Sequence, residues 1–448
     1  MSTYKNLYWH ELKGTLRLGF PLIFSQLLGY AQQVIDTLMA GRHNALTLAA
    51  VSLAGQLFTL VYLLMIGIGI AISASVSRYH GRQDPMRIRR SFQQGQWLML
   101  FLALLSIVLI IAMAYVPSLI GSAEDIAQEA KRYLLTLALG AGLYVLALTP
   151  RYFLEGMSYP RTNILITLAL LPLNVFLNWA FLSGWSIFPA LGAQGMALAT
   201  AICYSLYAFL LFWQLIINPQ FRALRLFQRF APPNWFELKT LIRIGVPISL
   251  AIIMEAALFI AIGLIASRSN AILTGANQIA LNYAGVMFMI PLGLASALTV
   301  RVGNAIGQNN LTIARIRSLG GIALSAFVML FSGALMLFFA KEIASLYSDN
   351  SEVIDIASHI LIIVAIFQIF DGIQITAAGV LRGLHDTNIA MLYALIGYWI
   401  LGFPLGLYFA YVLGYGLYGL WAGVAIGLIV NAFLSTRRVL QKTRPTAS

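Results

Sequence analysis

The sequence predicts an all-α polytopic membrane protein, with twelve transmembrane helices in two six-helix lobes related by pseudo-two-fold symmetry along the membrane normal. Three observations predict it. The 448 residues are 60% apolar and only 10% charged, with a mean hydropathy of +0.84, as expected of a chain whose solvent is largely lipid. Apolar runs of helical length recur between charged or Pro/Gly breaks, and no alternating ten-residue pattern points to a barrel. Finally, a shift of 226 residues lays 16–90 on 242–316 without a gap.

The first run, 14–41, follows a polar segment carrying Lys5, His10, Glu11 and Lys13. It is too long for a signal core, lacks a small-residue cleavage site and contains Asp36, so it is read as a retained span. Five more follow at 48–76, 92–116, 126–148, 161–183 and 190–217. The second set lies at 240–266, 273–302, 316–340, 353–380, 388–412 and 417–436. Several exceed the roughly 20 residues needed to cross the hydrocarbon, which implies tilt or projection beyond it.

Residues 1–217 form the expected N-lobe with helices 1–6, and 238–448 the C-lobe with helices 7–12. Between them, 218–237 reads as a cytoplasmic linker rich in proline and arginine (Arg222, Arg225, Arg229). Phe221, Leu224, Leu226, Phe227 and Phe230 give it an apolar side, consistent either with lying on anionic headgroups or with a plain solvated connector.

The repeat aligns Arg17-Leu18-Gly19-Phe20-Pro21 with Arg243-Ile244-Gly245-Val246-Pro247. It also aligns Asn44 with Asn270, Gly67 with Gly293 and Gly81 with Gly307. Six spans per half is an even number, so both halves insert the same way up.

A net charge of +13 suggests nucleic acid only until its placement is read. Of the 28 Lys and Arg residues, five (Arg42, Lys131, Arg132, Arg268, Lys341) fall in or beside one set of alternate loops. The rest lie at the termini or in the other set, the positive-inside pattern that puts both termini in the cytoplasm. One cysteine excludes an intrachain disulfide. With no Gly-Lys dipeptide there is no Walker A loop, hence no ATP motor of that type, and no metal-catalytic or nucleophile motif supports an enzyme. His80, in an arginine-rich segment, is expected in solvent. No catalytic residue, cofactor or nucleic-acid partner is expected, and the protein is read as monomeric.

Three carboxylates stand apart. Asp36, Glu255 and Asp371 each lie inside a long apolar run, where a charge at mid-bilayer depth costs roughly 3 kcal/mol or more. No lysine or arginine shares their depth in those spans, so the buried field reads as acidic and points to a cation. In the repeat, Asp36 faces Ile262 and Glu255 faces Gly29, so neither acid is needed by the shared scaffold. Asn174 and Asn178 share one face of the fifth span, and their amide oxygens suit a hard cation or an interhelical hydrogen bond. Pro21, Pro247 and Pro291 are candidate kinks. Gln278, Asn277 and Asn282, with Tyr283, Phe288, Met287 and Met289, are candidates for an adaptable pocket lining.

With those residues in place, the chain resembles the multidrug and toxic compound extrusion (MATE) family, in its bacterial NorM-like branch. The resemblance rests on Asp36, on Leu173-Asn174-Val175-Phe176-Leu177-Asn178, and on Glu255. It continues through Gly275-Ala276-Asn277-Gln278, Val302-Gly303-Asn304-Ala305-Ile306-Gly307-Gln308, Asp371 and Leu381-Arg382-Gly383. It implies an antiporter that exports cationic amphiphilic drugs and dyes by alternating access, in exchange for Na⁺ in preference to H⁺. Carried over, Glu255 and Asp371 form a C-lobe cation site, and Asp36, Asn174, Asn178 and Thr200 an N-lobe one. Gln278, Phe288 and Asp349, with Glu255 and Asp371, match drug-contacting positions. Phe288 and Phe367 stand where relatives can carry tyrosine, which removes a hydroxyl at each. The segment Ser77-Arg78-Tyr79-His80-Gly81-Arg82-Gln83-Asp84 departs from the loop typical of the major facilitator fold. The alternative function is a lipid-linked saccharide flippase, whose diphosphate substrate calls for buried arginine or lysine.

Overall fold

The computed structural model describes residues 2–119, 121–185, 188–228, 230–268 and 270–444. Arg229 of the expected linker and the last four residues of the expected C-lobe lie outside them. No strand occurs among the described residues. Twelve long helices run in order: α1 (Ser2–His43), α2 (Ala45–Gly81), α3 (Pro85–Leu119), α4 (Glu124–Gly156), α5 (Arg161–Ser183) and α6 (Ala193–Ile217). Then come α7 (Trp235–Ser267), α8 (Ala271–Gly307), α9 (Leu311–Phe338), α10 (Ser351–Gly383), α11 (Thr387–Val412) and α12 (Gly416–Lys442). Eleven of these are long and apolar enough to cross a membrane; α1 is the exception, its run diluted by Gln26, Gln32, Gln33 and Asp36.

The repeat is visible in the local chemistry of the helix ends. Asn44 caps α2 by accepting from Thr47 N at 2.7 Å, and Asn270 caps α8 by accepting from Leu273 N at 2.7 Å. Asp84 caps α3 and Asn310 caps α9 in the same way, at 3.0 and 2.9 Å. Each is preceded by a left-handed residue, Gln83 at φ 55° and Asn309 at φ 56°. These turns are short and self-satisfied, which is why the sequence shift survives there so cleanly.

By packing, the chain forms two compact units: Met1–Leu27 with Leu250–Ser448, and Leu28–Ser249. We call them the C-terminal and N-terminal units. Both unit limits fall inside long helices, α1 and α7, whereas the proposed lobe limits at 217 and 238 follow the repeat. In the C-terminal unit, Gly293 of α8 lies against Ile23 of α1, where a Cβ would sit 2.5 Å from the Ile23 Cα. In the N-terminal unit the repeat-related pair is Gly67 of α2 and Ser249 of α7, and Gly67 N donates to Ser249 Oγ at 3.1 Å. Small residues here let helix backbones touch.

Two expectations need correction. The arginine-rich segment after the second span is not a loop: α2 continues to Gly81, and His80 is half-buried with its Nδ1 shielded from solvent. Nor is the linker a plain solvated connector, because Gln93, Gln94 and Trp97 of α3 bind it. Their side chains donate to Leu226 O (2.8 Å), Pro232 O (2.9 Å) and Ala231 O (3.0 Å), and α7 already begins at Trp235.

Candidate functional site

In the C-terminal unit, α7 carries Glu255 and α10 carries Asp371, and the structure brings them to one amide. Gln374 Nε2 donates to Glu255 Oε1 at 3.2 Å and to Asp371 Oδ1 at 3.3 Å. Its own Oε1 accepts from Asn431 Nδ2 of α12 at 3.2 Å, and Asn431 Oδ1 accepts from Ser435 Oγ at 3.0 Å. The hydrogen bonds therefore run in one direction, from α12 through Gln374 into two carboxylates. Two acids so close repel one another unless a positive group or a proton intervenes, so the pair has the chemistry to take up either. Phe367 contributes no oxygen: it is buried and stacks on Trp421 at 5.9 Å inside an apolar cluster.

In the N-terminal unit, Asn178 Nδ2 donates to Asp36 Oδ1 at 2.7 Å and to Asn174 Oδ1 at 3.1 Å. One turn of α5 thus places both amides side by side, with Asn178 reaching α1. Asn178 Oδ1 is buried and accepts no hydrogen bond among the described residues, leaving a neutral oxygen beside the carboxylate. Thr200 of α6 is buried as well, but it lies against the Tyr133 hydroxyl, and Tyr133 in turn lies beside Asp36. Thr200 therefore reaches the cluster through Tyr133.

The remaining sequence-derived positions are scattered more widely. Gln278 is exposed on α8 and donates to Asn282 Oδ1 at 3.3 Å. Asp349 is exposed in the segment before α10, and Phe288 is half-buried on α8. No hydrogen bond joins any of them to Glu255 or Asp371 among the described residues. Pro21, Pro247 and Pro291 all lie within continuous helices.

Sequence reasoning missed several polar residues. Gln374 follows Asp371 by one helical turn, and Asn431 interrupts an apolar run as Asn174 does, so both left a readable signal. It also missed shielded basic groups, so the interior charge is not exclusively acidic: Arg382 of α10 is buried and its charge acts on Glu255, and three more arginines are half-buried. Arg151 of α4 pairs with Glu155 at 3.5 Å and donates to Tyr144 Oη at 3.4 Å. Arg301 and Arg317 both bind the buried carboxylate of Glu11 near the start of α1, Arg317 Nε at 2.7 Å. Each is ion-paired where it stands, Arg301 and Arg317 sharing the one carboxylate of Glu11.

A family model described as MatE matches residues 21–180 and 247–408, one match in each half. The chain is 33% identical over 445 residues to the multidrug resistance protein NorM of Aliivibrio fischeri, covering 97% of this chain and 95% of that one. It is 32% identical over 441 residues to the multidrug resistance protein MdtK of Photorhabdus laumondii, covering 96% of each. The fold is shared with the crystal structure of the eukaryotic MATE transporter AtDTX14, at a TM-score of 0.88 and 20% identity over 98% of both chains. An outward-facing multidrug resistance MATE family transporter of the MOP superfamily also matches, at a TM-score of 0.88 and 19% identity over 96% of both. With both halves matched and full-length relatives above 30% identity, the chain belongs to the MatE family.

Proposed function

We propose that this protein is a multidrug efflux antiporter of the bacterial cytoplasmic membrane, exporting cationic amphiphilic drugs and dyes in exchange for Na⁺. The observation that carries this reading is the Glu255–Gln374–Asp371 cluster: a half-buried and a buried acid bridged directly by a neutral amide, with no salt bridge to either among the described residues. Relatives bearing the name multidrug resistance protein over nearly the whole length support drugs as the cargo. Oxygen donors from carboxylates and amides favour a hard cation such as Na⁺ over a soft one.

The cycle follows from competition. An organic cation and the coupling ion bind the same negative groups, so entry of one from outside releases the other. Each unit charge moving inward across 100 mV supplies roughly 2.3 kcal/mol, enough for about a fifty-fold gradient. Asp36 with Asn174, Asn178 and Thr200 forms a second coupling site in the N-terminal unit. Gln278, Phe288 and Asp349 belong to the drug path, and Pro21, Pro247 and Pro291 are bending points.

The flippase alternative draws no support from the three half-buried arginines. Arg151 is occupied by Glu155, and Arg301 and Arg317 by Glu11, which leaves none of these three unpaired to receive a diphosphate. The deciding experiment is ethidium efflux from proteoliposomes with independently imposed sodium, pH and voltage gradients. Efflux driven by an inward sodium gradient at constant pH supports the reading; efflux under none of them refutes it.

A further inference from the structure

The Glu255–Asp371 cluster contains one more oxygen, brought in by α11. This helix is not a regular α-helix: residues Leu395–Gly402 and Tyr408–Val412 are wound as π-helix, with bonds from residue i to i+5. Such widened turns cost stability and recur where a side chain must be aimed at a site. Tyr398 lies in the first of them, almost wholly buried at 1% exposure, beside Glu255, Asp371 and Asn431.

Its neighbours fix it from both sides. Gly397 packs so tightly on α12 that a Cβ would sit 2.7 Å from Gly427 O and 3.0 Å from Asn431 Cβ. Trp399 Nε1 donates to Met254 O at 3.1 Å, locking α11 to the residue preceding Glu255. Tyr398 is thus held between the helices that carry Asn431 and Glu255. Its hydroxyl, shielded from solvent, lies against the Glu255 carboxylate and Asn431 and interacts with both, but makes no hydrogen bond of regular geometry. A phenol held there without a well-formed bond is under-satisfied, and a bound ligand would complete it.

The neighbouring amide sharpens the point. Gln374 turns its nitrogen toward the carboxylates and spends its oxygen on Asn431, so it offers the site no free acceptor in this arrangement. Asn431 likewise spends its oxygen on Ser435. The neutral oxygen beside the two acids that accepts no well-formed hydrogen bond is that of Tyr398.

We propose that the Tyr398 hydroxyl is a third oxygen of the coupling-ion site, a specificity-determining ligand that completes the set begun by Glu255 and Asp371. This deepens the antiporter reading and rests on it. The hydroxyl oxygen directs a lone pair at a bound cation, and its ring stays where α11 and α12 hold it. Loss of the oxygen weakens the ion and leaves the organic cation, which needs only the negative charge.

The test is Tyr398→Phe, which keeps the ring and its packing. Half-saturating sodium, half-saturating proton concentration and ethidium affinity without sodium are measured in proteoliposomes. In Tyr398→Phe, the ion that drives the wild type should need about ten-fold more for half-saturation, one decade of affinity for one lost ligand. Ethidium affinity should change less than two-fold, and saturating ion should restore the maximal rate. A parallel readout independent of transport is the rise in melting temperature that the driving ion produces on purified protein, which should shrink in the variant. An unchanged ion requirement, or an equal fall in rate at every ion concentration, overturns the assignment. A wild type that moves ethidium under no gradient refutes the antiporter itself, a separate and recognisable failure.

Discussion

Gln374 reaches from α10 to Glu255 on α7 with a 3.2 Å hydrogen bond, and the same nitrogen serves Asp371 at 3.3 Å. An amide nitrogen has two hydrogens, so this group is fully used by two acceptors that repel each other. Gln374→Leu is expected to remove that shared donor and leave Asn431 without its acceptor. A loss of stability of about 1–3 kcal/mol follows, with dye efflux reduced at least about ten-fold. Glu255→Gln and Asp371→Asn should abolish efflux. Ethidium accumulation in a pump-deficient host checks both, and unimpaired export by the two charge-neutral variants would remove the mechanism.

Asn178 plays the corresponding part in the N-terminal unit, as the 2.7 Å donor to Asp36. Asn178→Leu keeps the volume and removes the donor, so a buried carboxylate is left with one polar neighbour fewer. The expected result is a loss of roughly 1–3 kcal/mol in stability and a fall in efflux matching that of Asp36→Asn. A double variant no worse than either single one would show that the two residues act as one element.

The repeat-related glycine contacts make a steric prediction. A Cβ on Gly67 would lie 2.4 Å from Gly245 O, and one on Gly293 would lie 2.5 Å from Ile23 Cα, both backbone atoms that cannot swing aside. Gly67→Ala and Gly293→Ala should each lower the melting temperature, with a cost of about 1–3 kcal/mol from overpacking. Gly29 and Gly55 have nothing within 4 Å of their notional Cβ, so alanine there should be neutral or mildly stabilising. Equal melting temperatures for all four variants would contradict the packing.

Glu11, ahead of the first span, supplies a pH prediction. Burial alone raises its pKa, but the Arg317 hydrogen bond and the charges of Arg317 and Arg301 outweigh it and hold it below the usual 4.5. A depressed carboxylate contributes stability that is present above its unfolded pKa and lost as pH falls through the folded one. Glu11→Gln should therefore destabilise the protein at neutral pH by about 3 kcal/mol, since two half-shielded arginines lose their partner. The gap between variant and wild type should narrow as the pH falls below 4.5 and close only once it has passed the depressed folded-state value. Melting curves across pH 3–8 test this, and a pH-independent gap would show that packing, not charge, is at stake.

The fold was legible because a membrane forces every backbone group into helices, so hydropathy alone locates most spans. The repeat survived in capping residues such as Asn44 and Asn270, whose chemistry is local and visible in sequence. The buried acids were legible because lipid makes an unpaired charge expensive. Tyr398 was not: tyrosine is common in apolar spans, and only the π-helical winding of α11 aims it at Glu255. Arg151 and Glu155 were missed because an ion pair at helix spacing looks like a span end until burial is known. Lengths erred for a related reason, since α2 and α12 continue as helix past the last apolar residue, to Gly81 and Lys442.

The final prediction concerns the helices that contain the unit limits. The division falls at Leu27/Leu28 in α1 and at Ser249/Leu250 in α7, a few residues beyond Pro21 and Pro247 respectively. Proline removes one backbone hydrogen bond from the ladder and relieves its neighbours of strain when the helix bends. Both helices are otherwise held tightly on the N-terminal side of these points, by Gly19 against Leu294 and by Gly245 against Ile68, positions that the repeat makes equivalent. Bending is therefore expected to concentrate at the prolines. Pro21→Ala and Pro247→Ala restore the missing bond and stiffen each helix. Efflux should fall about ten-fold or more in each, while ethidium affinity measured by fluorescence anisotropy stays within two-fold and melting temperature does not fall. Pro172, inside α5 and away from either unit limit, is the control: its alanine variant should transport normally. If all three variants pump like the wild type, these prolines are static features of packed helices and the moving parts lie elsewhere.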